Sequence, residues 1–193
     1  MYRDIVKRIL DIVLALCGLL ILWPVMLIIA AAIRIESPGP VFFRQSRSGL
    51  HKKPFTLIKF RTMKVGAPSA IPTAEIDELG RYTTRIGRFL RRTSLDELPQ
   101  LWHILVGEMS VVGPRPVILQ EKALIAERDR YGANDVRPGL TGWAQINGRD
   151  TLSMKEKARY DGEYVRHLSF RFDCLCFFRT IGKVLRCDGV LEK

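Results

Sequence analysis

The sequence predicts a mainly helical α+β fold: a re-entrant, helix-break-helix membrane segment at the N-terminus, a small β-hairpin, and amphipathic helices at an interface. Three observations carry that prediction. Ile12 to Ile33 is a run of 22 residues without a charged side chain, with Pro24 near its middle. Apolar residues in Val41–Gln45 and Phe55–Met63 flank a turn signal at Ser48-Gly49, which reads as a hairpin. Between Phe170 and Leu185 apolar residues are interleaved with Arg171, Arg179 and Lys183, the pattern of a helix lying in a headgroup region. With 193 residues, 47% of them hydrophobic, the chain has material for one core and is not a disordered basic tail. Its net charge of +11 asks for an anionic partner: nucleic acid, anionic lipid or a phosphorylated metabolite.

The apolar run is long enough to enter a bilayer at about 1.5 Å per helical residue. It is too long for the apolar stretch of a signal peptide, about 7 to 15 residues. A straight span is opposed by the flanking charge: Arg3, Lys7 and Arg8 precede the run, and Arg34, Arg44, Arg47, Lys52 and Lys53 follow it. Basic flanks favour the cytoplasmic side, and both ends carry them. Pro24, after Trp23, removes a backbone donor and clashes with the preceding turn, so a break is expected there. Residues 1–36 are therefore expected to dip into one leaflet and return, leaving residues 37–193 as a domain on the starting face. The four cysteines make no C-x-x-C pair, which fits a reducing, cytosolic face.

The remaining elements follow in order. Glu36-Ser37-Pro38-Gly39-Pro40 is a stiff exit loop, and the hairpin comes next. Residues 64–80, with Gly66, Pro68 and Pro72, form a surface loop, and helices resume near Arg81 and run at intervals through Arg130. Asp135 to Asp150, rich in Pro and Gly, is expected as a long structured loop, a class that is often functional.

The chemistry centres on two adjacent carboxylates, Asp96 and Glu97. One reading is structural, with Ser94 and Glu97 as a capping box opening a helix from Leu98 to Val106. Pro99 complicates it, and a helix starting at Asp96 would put the proline in the first turn. Both carboxylates would then sit at a helix N-terminus, a place that favours anions and bound phosphate. Adjacent carboxylates also suit Mg²⁺, which binds through one or two carboxylates plus substrate phosphates. A carboxylate can, in addition, attack phosphorus to give an acyl phosphate.

Positive charge comes from elsewhere in the chain. Lys59 and Arg61 end the hairpin, Arg91 and Arg92 precede the acidic pair, Arg115 sits in Gly113-Pro114-Arg115-Pro116, and Arg137 and Arg149 bracket the glycine-rich loop. Arginines in loops bounded by Pro and Gly can be held with their forks aimed at phosphate oxygens. His51, His103 and His167 stand alone and read as structural or solvent-facing.

Lys59-Phe60-Arg61-Thr62-Met63, Ser94-Leu95-Asp96-Glu97-Leu98-Pro99-Gln100, Gly113-Pro114-Arg115-Pro116 and the stretch from Arg137 to Arg149 together resemble the bacterial sugar transferases. These are the monotopic phosphoglycosyl transferases, and the short N-terminus is most similar to the small enzymes that initiate bacterial N-linked glycosylation. The resemblance implies transfer of a sugar 1-phosphate from a UDP-sugar to polyprenyl phosphate at the bacterial inner membrane, with the site on its cytoplasmic face. Asp96 would be the nucleophile, with a phosphosugar-aspartyl intermediate and UMP as leaving group, and Glu97 would assist; both would contact Mg²⁺. Lys59, Arg61, Arg91, Arg115, Arg137 and Arg149 would hold phosphates, and Trp23-Pro24 would mark the break in the membrane helix. Relatives often carry Ser where Trp23 stands. Two other readings are a membrane-tethered basic binding module and a non-catalytic scaffold for other glycan-pathway enzymes. No nucleic-acid motif such as an RRM or zinc finger is present, so nucleic acid is not an expected partner.

Overall fold

The computed structural model describes residues 2–67, 82–148 and 151–186. Its longest element is helix α1, Lys7–Glu36, preceded by a π-helical turn at Tyr2–Val6. The expected break at Trp23-Pro24 is absent as an interruption: α1 is one helix with Pro24 inside it. The reason lies in its packing. Lys7, Asp11, Ala15, Ile29 and Ile33 are buried, and Leu19, Leu22 and Met26 pack against core clusters between them. This spacing of three to four residues makes a single stripe that faces the domain along the whole helix. Pro24 lies on the opposite, exposed face, so its steric conflict with the preceding turn falls where no protein packs.

Both ends of α1 are tied down. Asp173 accepts hydrogen bonds from Lys7 Nζ (2.7 Å), Tyr2 (2.5 Å) and Tyr164 (2.8 Å). At the far end the Glu36 carboxylate accepts from the backbone N–H of Arg85 and Ile86 (2.6 and 3.0 Å). It thereby caps helix α2, Arg85–Thr93, where free N–H groups welcome an anion. Outside the stripe α1 carries exposed large apolar side chains, from Val25 at 39% to Ile35 at 85%.

The expected hairpin is present: β1 (Phe42–Ser48) pairs antiparallel with β2 (Pro54–Phe60), Phe42 opposite Phe60. After α2 come a 3₁₀ turn at Leu95–Glu97, helix α3 (Gln100–Val106), strand β3 (Ser110–Val112) and helix α4 (Lys122–Asp129). The stretch expected as a loop from Asp135 to Asp150 instead contains strand β4 (Gly139–Thr141) and a short helix α5 (Trp143–Ile146). Strand β4 runs parallel to β3, with Ser110 opposite Gly139 and Val112 opposite Thr141. Helix α6 (Met154–Arg166) opens with a capping box from Ser153 and Glu156. Helix α7 (Phe170–Arg186) matches the expected amphipathic segment. The main core joins α1, β2, α3, β3, α6 and α7 around Leu57, Ile104, Met109, Tyr164 and Cys176.

Candidate active site

Asp96 and Glu97 lie on the 3₁₀ turn between α2 and α3, and both are buried. The chain reaches them through Ser94, a non-glycine residue in the left-handed region (φ 57°) that ends α2 and reverses the backbone. Ser94 makes no side-chain cap hydrogen bond, so the capping-box reading of Ser94 and Glu97 is not what forms. The turn is closed by backbone bonds from Glu97 N–H to Ser94 and from Leu98 N–H to Leu95. Pro99 follows at the N-cap of α3, early enough that its missing N–H leaves no carbonyl unserved.

The carboxylates are not alone in their burial. Arg115 Nη2 donates to Glu97 Oε1 at 2.9 Å. Asp96 is pushed up to about 6, first by burial and then by the neighbouring charge of Glu97; Lys59, Arg115 and Arg91 pull the other way. Burial pushes Lys59 down from the usual ammonium range, against the opposing pull of Asp96 and Glu97. Its Nζ also stands 5.4 Å from the Phe43 ring centroid, a favourable cation–π separation. The fold thus brings together Asp96, Glu97, Lys59, Arg91 and Arg115, gathered from β2, α2, the 3₁₀ turn and the Gly113–Pro116 loop.

The other expected cations lie elsewhere. Arg61 donates to the backbone carbonyls of Ser37 and Pro38 (3.0 Å to Pro38) and so holds the exit loop of α1. Arg137 Nε donates to Gly107 O at 3.0 Å, while Arg8 donates to Ile104 O and Leu105 O at 2.5 and 2.8 Å. These two arginines satisfy carbonyls that the end of α3 leaves open. Arg149 lies outside the described residues, as does most of the expected loop at 64–80. His103 has a packing role: its Nε2 accepts from Ile58 N–H at 3.0 Å, and its Nδ1 meets Glu108 at 2.6 Å. This anchors the strand position next to Lys59.

Two arrangements escaped the sequence reading. Arg47 of β1 donates to Pro116 O (3.2 Å) and to Gln45 (2.6 Å). Burial and the nearby charge of Arg115 push it down to about 10, so Arg47 belongs to the same electrostatic cluster. Arg128 of α4 makes a buried ion pair with Asp161 of α6 (2.6 Å) and donates to Arg115 O (3.0 Å). Two guanidiniums therefore hold the adjacent carbonyls of Arg115 and Pro116. Neither residue stands in a Pro- or Gly-bounded motif, and no local pattern marks them.

The glycines of the two conspicuous loops have a steric reason. A Cβ on Gly139 would lie 2.1 Å from Gly113 N, and one on Gly142 would lie 2.0 Å from Gly113 O. Both loops press backbone to backbone at the β3–β4 pair, where no side chain fits.

A cavity of about 490 Å³ adjoins the site. Glu97 and Arg115 stand on its wall, with Arg92, Thr93 and Ser94, and the remaining walls from α1, β4, α5 and α7 are chiefly apolar. Among the described residues no group of three or more His, Cys, Asp or Glu side chains gathers to hold a metal ion. A cation here would have the Asp96–Glu97 pair as its protein donors and would take its other ligands from phosphates and water. Hard carboxylate oxygens in that number fit Mg²⁺.

Comparison with known proteins gives the family. The bacterial sugar transferase family model matches residues 2–187. The chain is 44% identical over 192 residues to the UDP-glucose:undecaprenyl-phosphate glucose-1-phosphate transferase of Escherichia coli (strain K12), covering 93% of this chain and 40% of that protein. It is 41% identical over 194 residues to the protein of the same name from Xanthomonas campestris pv. campestris, covering 95% of this chain and 40% of that one. Against the uncharacterized sugar transferase EpsL of Bacillus subtilis (strain 168) it is 41% identical over 194 residues, covering 97% and 91% respectively. The chain spans well under half the length of the first two relatives and nearly all of the third.

Proposed function

The chain belongs to the bacterial sugar transferase family, and from that premise we propose that it transfers a hexose 1-phosphate from a UDP-hexose to undecaprenyl phosphate, releasing UMP. The observation that carries this reading is the buried Asp96–Glu97 pair facing Lys59, Arg91 and Arg115. Relatives named for UDP-glucose make that the first donor to test.

In the first step an Asp96 carboxylate oxygen attacks the β-phosphorus. A P–O bond to Asp96 forms, the bond to the α-phosphate oxygen breaks, and UMP leaves with the electron pair. In the second, the acceptor's phosphate oxygen attacks the same phosphorus and Asp96 departs as carboxylate. No proton must move at phosphorus, so positioning and charge supply the rate. Arg115 and Lys59 offset the developing negative charge, and Glu97 fixes the Arg115 guanidinium. Asp96 and Glu97 would hold Mg²⁺, which when bound would offset negative charge on the donor's phosphates.

The membrane half of the proposal rests on α1. Its 30 residues would extend about 45 Å as a straight helix, more than a hydrocarbon core of about 30 Å. Both ends are bonded to the same domain, through Asp173 at one end and Arg85 and Ile86 at the other. A spanning α1 would drag that domain across the bilayer. The consistent placement is α1 sunk into one leaflet by its exposed apolar face, with both ends on the cytoplasmic side of the inner membrane. Labelling of cysteines introduced at positions 2 and 40 from opposite faces would overturn this placement.

The reaction is tested with detergent-extracted protein, Mg²⁺ and UDP-glucose. UMP release and an intact-mass increase of one hexose phosphate are expected, and both vanish in Asp96→Asn. An adduct that survives in Asp96→Asn removes Asp96 as the nucleophile.

A further inference from the structure

The backbone that carries Arg115 is held at four carbonyls in succession. Pro114 O accepts from Gly139 N–H (2.8 Å), Arg115 O from Arg128 Nη1 (3.0 Å), Pro116 O from Arg47 Nη1 (3.2 Å) and Val117 O from Ser48 N–H (2.9 Å). Pro114 and Pro116 also fix φ on either side of Arg115. The Arg115 side chain itself is 40% exposed and meets Glu97 at 2.9 Å. Packing does not lock it, so the place of its guanidinium depends on the backbone beneath.

Arg128 of α4 is 5% exposed, and its charge is met by Asp161 of α6, itself 1% exposed. The pair meets through one carboxylate oxygen: Arg128 Nε donates to Oδ2 at 2.8 Å and Nη2 stands 2.6 Å from the same atom. Asp161 Oδ1 has no hydrogen-bond partner among the described residues. A pair arranged for its own strength would set both carboxylate oxygens against the fork. Here the fork is turned so that Nη1 reaches Arg115 O instead. Burying such a pair adds little stability over apolar residues of similar volume, so the fold alone does not account for it. We propose that Arg128 and Asp161 are positioning residues for the transfer reaction: the Asp161-anchored guanidinium fixes the Arg115 carbonyl, and through it the place where the Arg115 fork meets Glu97 and the donor's phosphate. The inference rests on the proposed reaction and adds to it two residues that act only through Arg115. A shift of about 1 Å at such a group costs up to about a hundredfold in rate.

The experiment uses the full chain in detergent with Mg²⁺ and UDP-glucose, and follows adduct formation in single turnovers by intact mass. It yields a maximal rate and a half-saturating donor concentration. Arg128→Met combined with Asp161→Leu removes both charges together and orphans neither, so the melting temperature holds. The maximal rate of this double variant falls about tenfold or more, while the half-saturating donor concentration stays within about twofold. Arg128→Lys keeps a charge opposite Asp161 but cannot serve both that carboxylate and Arg115 O, and it shows the same loss; it carries the test if the double variant does not fold. In an Arg115→Met background neither change costs further rate, because the group they position is gone. Arg130→Met, an exposed neighbour paired with Glu127, behaves as wild type. An unchanged maximal rate in the folded variants, or the same fold-loss with and without the Arg115 guanidinium, overturns the inference while sparing the reaction. Absence of UMP release and adduct in wild type would fail the reaction itself, and this inference with it.

Discussion

Replacing Asp96 with Asn is expected to make the protein more stable while stopping its chemistry. Asp96 is buried beside Glu97, and its pKa is raised from 3.8 to about 6. In the unfolded chain the side chain ionises near its ordinary value. Between those two values the native state holds a proton that the unfolded state has lost, so stability falls as pH climbs from about 4 to about 6. At about 1.4 kcal/mol per unit, the loss is about 3 kcal/mol, complete above the higher value. Asn cannot ionise and keeps the shape, and Glu97 remains to face Arg115 and Lys59. The gap in unfolding free energy between Asp96→Asn and wild type should therefore widen by about 3 kcal/mol from pH 4 to pH 7 and stay constant beyond. Urea denaturation in matched detergent, without nucleotide or divalent ion, measures it. Parallel curves across that window would mean that Asp96 ionises freely in the fold.

The same carboxylate sets the pH dependence of the first step: adduct formation from UDP-glucose should rise through about pH 6 as Asp96 loses its proton, then level off, and a rate flat from pH 5 to 8 would contradict it. Arg115→Lys, which replaces a fork with a point charge opposite Glu97, should cost about tenfold or more in kcat with little change in melting temperature. Arg61→Lys should do the reverse, lowering the melting temperature through the exit loop while kcat holds, because its partners are the carbonyls of Ser37 and Pro38. Gly139→Ala should abolish folded expression or cost about 4 kcal/mol or more, since the new Cβ would meet backbone atoms of Gly113 and Thr141 with no flexible side chain to yield.

Sequence alone located the carboxylate pair, the hairpin, the α7 helix and three of the cations that surround Asp96. It misjudged what depends on which backbones meet. Ser94-x-x-Glu97 and Ser153-x-x-Glu156 have the same spacing, yet only the second forms a capping box. Ser94 is driven into the left-handed region by the reversal between α2 and the 3₁₀ turn, and that geometry is set by packing against β2 and α1. Strands of three residues carry no readable alternation, so β3 and β4 were invisible, and the glycines that let them touch read as a ligand loop. Arg61 and Arg137 donate to backbone carbonyls, and sequence does not say whether an arginine's target is a phosphate or an unpaired carbonyl. Pro24 was read as a break because sequence does not say which face of α1 carries it.

The membrane helix also builds the site. The turn that carries Asp96 and Glu97 is fixed by the two helices it joins, and each of those is fastened to α1. Glu36 caps the start of α2, Arg8 serves the carbonyls at the end of α3, and Gly18 brings α1 so close to Leu101 that a Cβ would stand 3.0 Å from its Cδ1. Phe60, directly after Lys59, packs in the cluster formed with Ile29, Ile33 and Leu90. Removing residues 1–36 would therefore strip two helix ends of their partners and uncover Leu90, Phe60 and Ile104 as well as severing the lipid anchor. If α1 were only an anchor, a chain lacking it would still form the phosphosugar adduct from a soluble UDP-sugar, since that first step needs no lipid. The packing predicts the opposite: such a chain loses its cooperative unfolding transition and forms no adduct, even with saturating donor and divalent ion.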